Sequence, residues 1–496
     1  MKKLLIAALL FSNLSIADER LKDAPMEWLI SATIQSKLNH EGHDLHDHGH
    51  SDDLANDELL REIFETVTYD TDNDELILSS SLKTLDLRMK LESFLSTQAK
   101  NNRVDEKYTQ WLDEGKAQYD VTLYRTNFAP EGFYYLNHIH TNLSKDNSEL
   151  KWLKYSPQKT YSLINNLIKR RYTKAAVAFN DHDTDRAYDM VKDINYPSLY
   201  PLRSIEWGGS THMGLVGIKE NWDNLDNGRN YSGEESIRQS RSSDGFRIVN
   251  HPNRKNKPFP YASWLDANGV EVWNSIVENS PFLIFKIERS YNRDAFQQWV
   301  DSMKTGKTYT AVGGSDFHFM IPCLRDRTLM YPANYIPAEN IEQTEEYLQQ
   351  GRVSFVTRPT APKLTLQAKF EGQNDWANMG DKVQGNKKLT VQLFGDFSDT
   401  NKRIGGFCYN TVRNFYRLLT FWKKRFWEIR FYNLEGDLIA KRSLNPKWYR
   451  YNRHFRATFD LDVQGTDLIR AELWEVNKRA RNVDLLGATN PIYINW

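Results

Sequence analysis

The chain offers its chemistry in a short run, Leu136-Asn137-His138-Ile139-His140-Thr141-Asn142-Leu143-Ser144-Lys145-Asp146. It follows the apolar residues Phe133-Tyr134-Tyr135, which read as a buried strand. Side chains two apart on a strand share a face, so His138 and His140 project together. At a strand end two neutral imidazoles can grip one cation.

The remaining histidines repeat the pattern. Of 12 in the chain, five fall between His40 and His50. Of the others, His182 follows Ala178-Phe179-Asn180-Asp181, and His212 follows Glu206 in Ile205-Glu206-Trp207-Gly208-Gly209-Ser210-Thr211-His212. His251 closes Ile248-Val249-Asn250-His251-Pro252, and Asp316 and His318 close Val312-Gly313-Gly314-Ser315-Asp316-Phe317-His318. Each ends or closely follows a short apolar run; only His454 stands apart. Imidazoles with carboxylates and no thiolate suit Zn²⁺, Mn²⁺ or Fe²⁺. Two such ions held close together need a carboxylate between them to offset their repulsion, and can activate water against an ester.

This order, HxH, then DH, then Glu with a following His, then HP, then GSDxH, resembles the polymerase-and-histidinol-phosphatase (PHP) family of metal-dependent phosphoesterases over about residues 131 to 360. The resemblance implies Glu206 as the bridging carboxylate, His138, His140 and Asp316 on one metal, and His212 and His251 on a second. His182 and His318 would help hold a third. It also implies a distorted seven-stranded β/α barrel, with an antiparallel β domain following in exported members. The chain departs from the family where an acidic residue usually stands five positions after the second His of HxH. Lys145 is there and Asp146 comes next. Either Asp146 binds by a one-residue slip, or the Lys145 ammonium fills the third position. Asn137 replaces a common Asp before HxH. Asp181 is placed to orient His182 or a bound water, and Asp183 to do likewise. Arg254, with Lys255, is placed to meet a substrate phosphate.

The elements that must position these residues alternate. Strand-like runs are 121–124, 133–139, 175–179, 202–207, 213–218, 246–249, 270–273 and 309–312, with helical candidates at 160–171, 187–192, 296–304 and 340–350. Alternating strand and helix predicts an α/β fold with a parallel sheet or barrel and its site at the C-terminal rim. Residues 54 to 117 carry apolar residues at helical spacing, among them Leu59, Ile63, Phe64, Val67, Leu87 and Leu91, and predict a helical N-terminal extension. Beyond Pro359 and Pro362, alternating runs such as 364–368, 388–394, 427–432, 437–442, 456–461 and 468–476 predict an antiparallel β-sandwich over 361–496.

Composition bounds the function. Lys plus Arg and Asp plus Glu both number 65, so no global field favours nucleic acid or acidic membranes. Residues 1–17, with Lys2-Lys3, the apolar Leu4–Phe11 and Ser15-Ile16-Ala17, read as a bacterial signal peptide ahead of Asp18. That predicts a periplasmic or secreted protein whose mature chain has no transmembrane span. The segment with His40, His43, Asp44, His46, Asp47, His48, His50, Asp52 and Asp53 reads as a loop able to chelate metal loosely. Cys323 and Cys408 are the only cysteines, and sequence leaves open whether they pair. The leading expectation is an exported hydrolase of small-molecule phosphoesters with two or three divalent ions. Carbamate or ester hydrolysis on the same centre, and zinc buffering without catalysis, are the alternatives.

Overall fold

The computed structural model describes residues 67–70, 75–78, 87, 90–91, 117–145, 154–171, 173–208, 212–219, 245–253, 259, 264, 267–274, 289–318, 329–358, 361–385, 388–398, 425–444, 454–463, 466–477 and 482–495. Two compact units emerge, residues 1–116 with 476–484, and residues 117–475 with 485–496. In the first, strands Val67–Asp70 and Glu75–Leu78 pair antiparallel. A helical reading of 54–117 therefore fails at this hairpin. The β-branched and aromatic residues Val67, Thr68 and Tyr69 favour strand. Leu87 and Leu91, one helical turn apart, are helical and buried as their spacing predicts.

In the second unit the expected seven-stranded β/α barrel is not observed. Among the described residues 44% lie in strands and 17% in helices, and the helices described end to end number 4, all in this unit. They are Pro157–Lys169, Arg186–Asp189, Arg289–Lys304 and Thr344–Gln349. One five-stranded sheet contains, in chain order, Ser204–Trp207, Met213–Val216, Phe246–Val249, Gly269–Asn274 and Thr310–Gly314. Its last three strands run parallel, but Met213–Val216 is antiparallel to both neighbours. The reason is the connection: residues 208–212 are too few for the crossover that a parallel pair needs.

A 12-stranded sheet holds Phe133–Ile139, parallel to Ala175–Phe179 and through it to Leu199–Leu202. On its other side Phe133–Ile139 pairs antiparallel with Ala333–Ile336, and that strand with Ser354–Val356. The same sheet continues through Asn482–Thr489 into Leu468–Asn477, Arg425–Tyr432 and Leu438–Leu444. Residues 131–360 and 361–496 both contribute strands to this sheet. One sheet runs through both regions, while Lys363–Phe370, Leu389–Asp396 and His454–Leu461 form an antiparallel sheet with Thr122–Thr126 on its edge.

The strand Phe133–Ile139 is buried on both faces, which explains the apolar run Phe133–Leu136 at its start. Tyr134, Leu136 and Ile139 share a core with Tyr161, Ile164, Leu167 and Ile168 of the first long helix. That helix starts where Ser156 Oγ accepts from Lys159 N–H, with Pro157 in the first turn. Phe133 and Tyr135 face the other way, into a core with Val216, Phe246, Ile248 and Val312. The two sheets meet at parallel bridges between Ile139 and Phe317 and between His182 and Glu206. Among the described residues no helix is long and apolar enough to cross a membrane.

Candidate metal centre

Eight of the sequence-predicted ligands converge at those bridges. His140 follows its strand, Glu206 lies within Ser204–Trp207, and His251 follows Phe246–Val249. Asp316 and His318 follow Thr310–Gly314, and His182 follows Ala175–Phe179. His212 precedes its strand instead. Because that strand is antiparallel, its start lies beside the ends of its neighbours.

Glu206 is the hub. Its Oε1 lies 3.1 Å from His138 Nε2, 3.1 Å from His212 Nδ1 and 3.3 Å from His251 Nε2. Its Oε2 lies 3.4 Å from His140 Nε2 and 3.1 Å from His182 Nε2. Asp316 Oδ1 lies 3.0 Å from His318 Nε2, 3.3 Å from His140 Nε2 and 3.6 Å from His138 Nε2. Four overlapping triads are close enough to hold a metal ion: His138-His251-Asp316, His138-His140-Glu206, His140-Asp316-His318 and His182-Glu206-His212.

The donor set fits divalent ions. Ligand bonds of about 2.1 Å put neighbouring donor atoms about 3.0–3.4 Å apart in octahedral or tetrahedral coordination. The separations above fall largely in that interval. His138 Nε2, His140 Nε2 and Glu206 Oε2 are buried and make no hydrogen bond, although a buried polar atom without a partner is costly. Atoms left this way around one point are placed for a ligand rather than for one another.

Electrostatics agree with that placement. Burial pushes Glu206 upward, but His182, His212 and His138 outweigh it and hold the carboxyl well below its ordinary range. Asp316 is held down likewise by His138, His140 and His318 against its burial. Burial and the neighbouring His318 bring His140 down to about 3, and burial holds His182 well below the usual imidazole value. Both rings are therefore neutral, with lone pairs to give. His138 goes the other way: burial lowers it, but Glu271, Glu206 and Asp316 together prevail and raise it.

The backbone around the ligands is strained. Of five non-glycine residues with positive φ among those described, four lie here: His138 at 62°, Asp183 at 54°, His251 at 30° and Asp316 at 46°. Each costs about 1–3 kcal/mol and persists only where its surroundings over-determine it. The strand is accordingly irregular between Leu136 and Ile139, so HxH here is not a simple strand pair. Several bonds do the fixing. His138 N–H donates to Asn180 Oδ1 at 2.9 Å, His251 N–H to Glu271 Oε2 at 2.7 Å, and Asp183 N–H to the Glu206 carbonyl at 3.1 Å. Asn250 Nδ2 donates to Glu206 Oε1 at 3.0 Å.

Asp181 serves as a brace. Its two oxygens accept from Thr141 N–H and, at 2.7 Å, from Thr141 Oγ1. Ser144 Oγ accepts from His182 N–H at 3.0 Å, and Lys145 N–H donates to the His182 carbonyl at 3.1 Å. Lys145 thus belongs to the rim of the site through its backbone. Asn137 Oδ1 accepts from Tyr135 Oη at 2.8 Å, so the residue preceding His138 is anchored to its own strand. Asp146, Arg254, Lys255, Cys323, Cys408, the signal segment 1–17 and the histidine-rich segment 40–53 lie outside the described residues.

Sequence reasoning missed Glu271, Asn180, Asn250 and Asn274. Glu271 sits in Val270-Glu271-Val272-Trp273, where a lone acid within an apolar strand was the available signal. Asn180 and Asn250 each stand next to a residue already singled out, Asp181 and His251. Compared with protein-family models, with characterised proteins and with solved structures, the chain finds no match.

Proposed function

We propose that this chain is an exported metal-dependent hydrolase that cleaves small-molecule phosphoesters, and that its motif order reflects kinship with the PHP phosphoesterases. The supporting observation is Glu206, a buried carboxylate whose two oxygens address two different sets of imidazoles. That is the arrangement a bridging ligand requires. In this reading two or three ions of Zn, Mn or Fe are held by His138, His140, His182, Glu206, His212, His251, Asp316 and His318. Such ions, when bound, lower the pKa of water and polarise a phosphoryl oxygen.

The protein supplies the rest. Glu206 and Asp316 stay ionised and offset the charge of more than one cation. His182 and His318 retain 12% and 15% exposure while the other ligand side chains retain 3% or less. A substrate therefore approaches over those two rings. The burial of the remaining ligands disfavours a readily exchanging zinc store. Hydrolysis of carbamate or carboxyl esters on the same centre remains the competing chemistry.

The test is elemental analysis of the purified, secreted chain together with a panel of phosphomonoesters, phosphodiesters, carboxyl esters and carbamates. At least two metal equivalents and turnover of a phosphoester are expected. Metal without turnover of any phosphoester overturns the assignment, and turnover of only carboxyl esters or carbamates transfers it to that bond.

A further inference from the structure

We infer that Glu271, outside the set of metal-facing residues, is a positioning residue that sets the ring of His138 and the backbone of His251 for metal binding. The inference rests on the metal-binding part of the reading above. Glu271 is 1% exposed and uses both of its oxygens. Oε1 lies 2.8 Å from His138 Nδ1. Oε2 accepts from His251 N–H at 2.7 Å and from Asn274 Nδ2 at 3.0 Å.

That geometry reaches three of the metal-facing residues, His138, His251 and Asp316. A carboxylate can only accept, so Nδ1 of His138 carries its proton toward Glu271. The ring is then oriented with Nε2 toward Glu206 Oε1 at 3.1 Å and Asp316 Oδ1 at 3.6 Å. His251, whose φ of 30° is strained, is pinned by the same carboxylate. Asn274 Nδ2 also lies 3.2 Å from Asp316 Oδ2, which ties a third ligand to the group. Asn274 is itself fixed by Asn292 of the helix Arg289–Lys304, through N–H to Oδ1 at 2.9 Å and Nδ2 to the Asn274 carbonyl at 3.0 Å. Space for the carboxylate exists only because residue 314 is glycine. A Cβ there would overlap Glu271 Oε1.

The polarity of Glu271 can be separated from its bulk. Glutamine has the same shape but one acceptor atom. If its Nε2 faces His138, the ring must accept at Nδ1 and carry its proton on Nε2, where the ligand lone pair is needed. If its Nε2 faces His251 N–H and Asn274 Nδ2, donors oppose donors. Aspartate is one methylene shorter but keeps two acceptors. A space-filling role ranks Gln above Asp; a positioning role ranks Asp above Gln.

Calorimetric titration of the full chain with Mn²⁺ alone, and the visible spectrum of the Co²⁺-loaded protein, read this directly. E271Q is expected to weaken Mn²⁺ binding about 10–100-fold, the usual cost of losing such an outer partner, and to alter the Co²⁺ bands. E271D is expected to recover part of the affinity. E472Q removes a buried carboxylate in the strand Leu468–Asn477, bonded to Arg470 and Trp474, and is expected to bind as wild type. N274A keeps the carboxylate and deletes the donor it shares with Asp316, so several-fold weaker binding is expected even if E271Q is recovered unfolded. Wild-type affinity in folded E271Q, a Gln-above-Asp ranking, or wild-type affinity in N274A overturns the inference. Wild-type chain that binds no metal overturns this inference and the hydrolase reading together. Chain that binds metal but cleaves no ester sinks only the latter.

Discussion

Glu206 concentrates the chemistry of the site in one side chain. It faces five imidazoles from a buried position. Replacing it by glutamine keeps the volume but removes the charge that lets two cations sit side by side. Glu206→Gln is expected to lose at least one metal equivalent by elemental analysis. Turnover should fall by about 10³-fold or more, since metal activation of water accounts for much of the barrier lowering. Full metal content with undiminished turnover would refute Glu206 as a bridge. The same argument separates His454, the histidine outside every motif. Its Nδ1 lies 3.0 Å from Asp396 Oδ1, away from the cluster, so His454→Ala is expected to leave metal content unchanged.

At the scale of elements, that aspartate shows how the C-terminal sheet is held. Lys363 and Asp396 are directly paired across strands Lys363–Phe370 and Leu389–Asp396. Lys363 Nζ lies 2.7 Å from Asp396 Oδ2 and 5.1 Å from the centre of the Tyr335 ring. Ser398 N–H donates to Asp396 Oδ1 at 2.7 Å. Burial alone would raise the Asp396 carboxyl, but His454, Lys363 and Ser398 N–H hold it well below its ordinary value of 3.8. A depressed folded-state value means the stabilisation is complete above about 3.8 and is lost as pH falls below it. Asp396→Asn is expected to cost about 2–3 kcal/mol at pH 7, since it also leaves Lys363 without its counter-charge. Denaturation of both proteins at pH 7 and pH 3 checks this. The gap should shrink at the lower pH, and a gap independent of pH would show that the charge is not responsible.

Across the whole molecule, the site ties together segments far apart in sequence. Its ligands come from six stretches between residues 138 and 318, on strands of two sheets. Each ion bound across such stretches favours the folded chain by RT ln(1 + [L]/Kd), about 2.7 kcal/mol at a hundredfold excess over Kd. Thermal unfolding should therefore shift upward with added Zn²⁺ or Mn²⁺ and downward with a chelator. An unfolding temperature insensitive to both would contradict a metal-bound native state. The sheet that carries His138 and His140 also runs into the C-terminal strands, so the shift is expected as one cooperative transition of residues 117–475 and 485–496.

Which residues could meet a metal was legible from residue type and spacing alone. Ligand types at the ends of apolar runs are local information, and strands 133–139, 175–179 and 246–249 were legible because their apolar runs stop where the chain turns polar. Pairing was not legible. Whether Met213–Val216 runs with or against its neighbours depends on contacts between segments distant in sequence, and periodicity is blind to direction. Nor does residue pattern show that Ala333–Ile336 and Asn482–Thr489 link early and late strands of the chain into one sheet. The supporting carboxylate and amides were hidden likewise. Glu271 stands 133 positions from His138, and Asn180 stands 42 from it. Nothing in the residue type says which distant ring a buried Glu or Asn will hold. Only tertiary packing brings donor and acceptor to 2.8 Å, and only there does the burial that makes the bond necessary arise.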